Sequence, residues 1–154
     1  MKNTAGTIVL CLMTAVLSMS ILFGAGAEAG NPAEPPAIDL DMTGMSGTVV
    51  YAQVYNLMSD PDPWLGKVIR MAGYYSFFND DKQGIVYHAC VIPDATACCA
   101  QGIEFIRAGE HQWPDDYPKE GSDITVTGRL EIYEENGYRY LHLVDAEVLW
   151  VAEP

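Results

Sequence analysis

Basic residues are scarce in this chain. Eight Lys and Arg stand against 21 Asp and Glu, for a formal net charge of −13, and the isoelectric point lies near 4.3. Phosphate backbones repel a surface of that sign, which argues against nucleic acid as a partner, while cations are attracted to it. Other absences narrow the field further. No Ser-His-Asp pattern, no phosphate-binding glycine loop and no spaced carboxylate pair demanding catalysis can be found. The acid pairs Asp80-Asp81, Asp115-Asp116 and Glu134-Glu135 fall in turn segments, where solvation accounts for them. There is no internal repeat, and one long apolar run only, from Ile8 to Phe23.

That run has its own context. Lys2 precedes it, small residues follow it, and Ala27-Glu28-Ala29 supplies an A-x-A site. The layout is that of a secretory signal peptide over residues 1–29, cleaved after Ala29. The run is short of the roughly 20 apolar residues a membrane span needs, and an uncleaved anchor is the alternative. Cys11 does not mark a lipoprotein, because Leu10 stands where a small residue is required. The mature chain of about 125 residues is the size of one domain and large enough to bury a core without disulfides. The expected location is extracytoplasmic, secreted or held at the cell envelope, with no stable membrane span after cleavage.

Residues 30–45, GNPAEPPAIDLDMTGM, are rich in proline and small residues and read as a flexible linker. Domain 46–154 follows. Val50, Val54, Leu57 and Met58 fall at helical spacing, with Ser46 or Thr48 as cap and Asp60-Pro61-Asp62-Pro63 as terminator. Strand patterns then take over: Lys67–Phe78, with Gly73 marking a bulge or a sharp coil, then Ile85–Ile92, Gly102–Ile106, Ile124–Tyr133, Tyr138–Leu143 and Ala146–Val151. Asn136-Gly137 favours the positive φ angles of a tight hairpin turn. The expected fold is mainly β: a small barrel of five to six strands with one N-terminal helix.

"DPDPWLGKVIRMAGYY", followed by "SDITVTGRLEIYEENGYRYLHLVDAEVLWV" with its Val126-Thr127-Gly128 stretch, resembles small OB-fold domains of secreted bacterial proteins. The resemblance spans about 85 residues. The chain departs from the pattern at 108–121, where OB domains often carry a helix; the helix at 48–58 is expected to plug the barrel instead. The segment Ile85–Ile106, with Cys98-Cys99-Ala100, is also similar to the extracytoplasmic OB-like region of bacterial membrane proteins described as permease partners. That resemblance implies an envelope-associated accessory protein with an envelope or membrane-transport partner.

Three of the four cysteines lie in "YHACVIPDATACCAQG". Strand alternation puts His88 and Cys90 on one face, and the connection 93–97 is expected to return Cys98 and Cys99 toward them. His88, Cys90, Cys98 and Cys99 would make a Cys₃His set suited to tetrahedral Zn²⁺. Against it, C-x₂-C spacing is missing and adjacent cysteines point apart. Two other readings stay open: a Cys90–Cys98 or Cys90–Cys99 disulfide with a spare thiol, and thiols packed as small apolar groups. His142 reads as a half-exposed strand residue facing with Tyr140, and His111 as a solvated loop residue. In the aromatic run Tyr74, Tyr75, Phe77 and Phe78, one alternating half belongs to the core and the other could stack on a ligand ring; Tyr75 and Phe77 are the binding candidates. The expected function is an exported, non-catalytic accessory module with a zinc site. The alternative is a module docking an envelope protein or glycan, stapled by a disulfide. A thiol enzyme ranks last, because a reactive cysteine wants a positive neighbourhood.

Overall fold

The computed structural model describes residues 37–94 and 99–151. The expected signal peptide, its cleavage site, Cys11 and Cys98 lie outside these residues. The described elements are β1 (Leu40–Asp41), α1 (Gly47–Ser59), a 3₁₀ turn (Asp62–Trp64), β2 (Val68–Asp80), β3 (Ile85–Pro93), β4 (Ala100–Arg107), β5 (Asp123–Glu135) and β6 (Tyr138–Trp150). They form one six-stranded mixed sheet in the order β1-β2-β3-β4-β6-β5. An added β2–β5 pairing makes a ring of five strands. β1–β2 and β4–β6 are parallel, and the other pairs are antiparallel. Among the described residues no helix is long and apolar enough to cross a membrane.

The helix follows its sequence pattern. It begins after Ser46, whose carbonyl accepts from Val49 and Val50, and ends at Ser59 before the proline-rich turn. Val50, Val54 and Leu57 are buried on the sheet's core, while Met58 stays half exposed. The expected hairpin is present too: Asn136 and Gly137 both have positive φ, 52° and 83°, as a two-residue turn matched to strand twist requires. The two last expected strands are one, β6. Opposite Gly128 it carries an extra residue, with Asp145 at φ 52°.

Gly73 marks something other than a local bulge. The first half of β2 pairs with β5, as far as Tyr74↔Asp123, and the second half pairs with β3, from Tyr74↔Val91 onward. At this exchange the strands approach so closely that a Cβ on Gly73 would press on the Val91 carbonyl oxygen and sit 2.7 Å from Ile92 Cδ1. Only glycine leaves room there.

The expected linker 30–45 is corrected within its described part. Leu40 and Asp41 pair with Ile69 and Arg70, and Met42 is fully buried in the core. Proline content upstream is compatible with a strand that starts after it, and a two-residue strand leaves no periodic signal. At the other side of the ring, loop 108–122 packs Tyr117 against the core and buries Pro118. It is tied down by Gly121 N–H to Tyr75 O (2.8 Å) and Tyr75 N–H to Ser122 O (2.8 Å).

Candidate binding groove

His88 and Cys90 do share the inward face of β3, but the register keeps Cys99 from them. Cys90 lies opposite Tyr75 on one side and Ile103 on the other. It is fully buried, its thiol is free, and burial pushes it up to about 12. Cys99 precedes Ala100, the partner of Pro93, and its carbonyl accepts from Asp94 N–H at 2.9 Å. Cys99 is thus level with Asp94, four residues along β3 from Cys90 and six from His88. At strand spacing those steps are about 13 and 20 Å. A Cys90–Cys99 bridge is corrected on that ground, and the Cys90 thiol is free; the Cys90–Cys98 alternative falls on a residue outside the described ones. Among the described residues no group of three or more His, Cys, Asp or Glu side chains converges as a metal site would require.

His88 has other partners. Its Nδ1 and Tyr75 Oη share a hydrogen bond of 2.7 Å, and its ring stacks on Tyr117 with centroids 3.9 Å apart. Desolvation, helped by the nearby Arg107 charge, pulls the imidazole down to about 4. It is therefore neutral near pH 7 and serves as an aromatic closure at the end of the core.

The binding candidates on β2, Tyr75 and Phe77, lie on its inward side. Tyr75 is 1% exposed and raised to about 12, chiefly by burial. Phe77 is half buried, with its ring centroid 5.1 Å from that of Trp113. Both project to the inward face. The outward face of the same run carries Phe78, 65% exposed. The run has aromatics at both parities, so alternation alone does not say which half faces in.

The outward face builds a groove. One row crosses it: Ala89↔Glu104, Glu104↔His142, His142↔Glu131. The β2–β3 and β5–β6 hairpins rise on either side. Tyr87 Oη donates to Glu135 Oε1 at 2.7 Å, joining one hairpin to the other. Tyr133 Oη donates to Glu104 Oε2 at 2.6 Å. Tyr133 also stacks on Tyr140 (5.3 Å) and leans on His142 (4.8 Å), while Phe78 meets Tyr87 at 6.3 Å. Two adjoining hollows of about 410 and 320 Å³ share Tyr87, Glu104 and Tyr133.

The charged side chains that line the groove among the described residues are acidic: Asp80, Glu104 and Glu135. Glu104 is raised above the usual carboxylate range by desolvation, against the lowering bond from Tyr133, and the Glu135 charge raises it further. The bond to Glu135 raises Tyr87 to about 12, and burial lowers His142. Among the described residues no Lys, Arg, Ser, Thr or Cys lines either hollow, which equips the groove to hold a ligand by stacking and by carboxylate acceptors. The sequence reading missed Glu104, Tyr87, Tyr133 and Glu135. For Tyr87, Glu104 and Tyr133 the only local signal was parity on expected strands, and Glu135 was read as a solvated turn residue, whereas β5 extends through it. Their convergence depends on the pairing of β4 with β6, which is set by contacts distant in sequence. The chain matches no family model, no curated protein and no solved structure.

Proposed function

We propose that the chain is an exported, non-catalytic docking module with an OB-like barrel, and that the groove over Glu104 is its ligand face. The strand order β2-β3-β4-β6-β5, with β2 meeting β5 and a single parallel pair inside the ring, supports the OB-like reading. OB folds bind along their second and third strands, between the loop joining strands one and two and the loop joining four and five. In this ring those strands are β3 and β4, and those loops are 81–84 and 136–137. The observation that carries the proposal is the coincidence of that face with the Tyr87–Glu135 junction of the two hairpins. The acidic lining speaks against a nucleic-acid strand. An envelope or membrane-transport protein is the proposed partner class.

The docking reading rests on a groove the described residues build. A zinc centre would need Cys98 to gather ligands that the β3–β4 register sets far apart, and Cys90 to give up a proton that burial holds. A thiol enzyme would meet the same obstacle at Cys90. Photocrosslinking tests the docking face. Benzoylphenylalanine at Phe78 (65% exposed) should give discrete adducts in producing cells, and at Tyr55 on α1 (58% exposed) none. Equal labelling at the two sites, or labelling at Tyr55 alone, would overturn the assignment.

A further inference from the structure

The β3–β4 pairing stops early. Its register runs from Pro93↔Ala100 to Ala89↔Glu104. Beyond that point Ile85–His88 pair with β2 alone, and Phe105 and Arg107 pair with β6 alone. The two strands part, and the hollow of about 410 Å³ opens in the seam, lined by Ile85–His88 on one wall and Glu104–Ile106 on the other. Tyr117, stacked on His88, closes it from the core side. The seam therefore offers two strand edges with no cross-strand register partner among the described residues. Such edges are costly unless covered, and they are templates for an added strand. Ile85 and Ile106 flank the seam, 41% and 56% exposed.

Charge selects among strands. At the head of the seam Glu104 is half buried, and its hydrogen bond comes from a neutral phenol. Glu135 and Asp80 line the adjoining hollow with Phe78, Tyr87, Tyr133 and Tyr140. The basic side chains around the seam are engaged elsewhere or lie off it: Arg107 at its core end sits over Tyr117 (5.4 Å) and donates to the Asp116 carbonyl, Arg139 borders Glu104 from a separate depression and pairs across the hairpin with Glu134, and Lys82 is at the hairpin tip. A desolvated carboxylate beside open aromatic faces is a setting for an ammonium or guanidinium group.

We propose that the seam between β3 and β4 takes an extended, lysine- or arginine-bearing segment of a partner protein, whose main chain pairs with the open edges and whose basic side chains reach Glu104 and Glu135. The inference rests on the docking reading above and names its occupant. Neutral glycan, the other occupant an aromatic groove admits, is an outcome of the test.

The probe is a labelled Lys-Val-Lys-Val-Lys-Val peptide, followed by anisotropy with the full chain at about 0.15 M salt, where exposed charges are screened beyond about 8 Å. Beside it stand the Gln-for-Lys peptide, the same basic peptide N-methylated along one edge, and a chitin hexasaccharide. The basic peptide should bind, and both altered peptides should bind at least about tenfold more weakly, as expected for losing charged or main-chain hydrogen bonds. Glu104→Gln should weaken the basic peptide by about tenfold, while Glu147→Gln, removing equal charge from an exposed site on β6 five residues beyond the His142 that pairs with Glu104, should change it less than twofold. Equal effects of the two substitutions, or undiminished binding of the N-methylated peptide, overturn the inference. So does no binding of the basic peptide at 1 mM. Hexasaccharide binding that Tyr87→Ala abolishes, with no peptide binding, overturns the occupant but leaves the docking face standing. Indifference of every probe to both groove variants brings down both.

Discussion

His88 shows how one burial event sets a pH response. Its imidazole is neutral when folded because desolvation and the Arg107 charge hold it near 4, against 6.5 when free. The unfolded chain therefore binds the proton first. As pH falls from about 6.5 toward 4, stability falls, and below 4 this contribution is spent. Glu104 acts in the opposite direction, since its raised carboxyl takes a proton more readily in the folded chain. The comparison of His88→Phe with the parent chain isolates the histidine. The variant keeps a stacking ring over Tyr117 and loses the Tyr75 hydrogen bond, so it starts less stable at pH 7. Its urea midpoint should then fall less than the parent's between pH 6.5 and 4.5. Parallel pH profiles for the two chains would sink the assignment. The shared face of His88 and Cys90 was readable in strand alternation. The stack on Tyr117 was not, because Tyr117 lies in a loop with no periodicity.

At the scale of elements, the two-residue β1 carries more than its length implies. Asp39 N–H donates to Val68 O (2.9 Å), Asp39 Oδ2 accepts from Val68 N–H (2.8 Å), and Met42 N–H donates to Arg70 O (2.8 Å). Met42 is then sealed in the core. Met42→Ala should cost about 2–5 kcal/mol, the usual range for emptying a buried methionine site. Met58→Ala on the exposed side of α1 should cost under about 0.5 kcal/mol. Chemical denaturation of the two variants makes the comparison, and equal midpoints would contradict the packing of β1. The helix and the Asn136-Gly137 hairpin were legible because their determinants are local: 3.6-residue spacing, a proline stop, two positive φ angles. β1 was not, because its partner lies 29 residues away and the pairing has no signature of its own. The cysteine segment misled for a related reason. Cys90 and Cys99 are nine residues apart along the chain, yet the returning strand keeps them apart by the distance of its register.

For the molecule as a whole, closure of the ring turns on β2, which gives its first half to β5 and its second half to β3. Gly73 sits at the exchange, with Ile92 Cδ1 and Cys90 Sγ 2.7 and 3.0 Å from where a Cβ would stand. Gly73→Ala should cost at least about 1–3 kcal/mol, because backbone as well as side chain must give way. Thermal unfolding with paired near- and far-UV circular dichroism checks this, and a variant as stable as the parent would show that the crossing is looser than its geometry. Much of the β-rich architecture could be read from strand patterns and turns. The groove could not. Glu104, His142 and Glu131 stand 38 and 11 residues apart along the chain, and only the parallel β4–β6 pairing sets them in one row.

β1 runs parallel to β2, and that direction has a mechanical meaning. Tension applied to the chain through residue 37 acts along the strand axis. It loads the bonds from Asp39 and Met42 in shear, so they share the force instead of opening one after another. Met42 must also leave the core before the load reaches α1. A module held from its N-terminal side while a partner tugs at its groove would resist first at this short clamp, and the ring of strands behind it would stay closed until the clamp slipped.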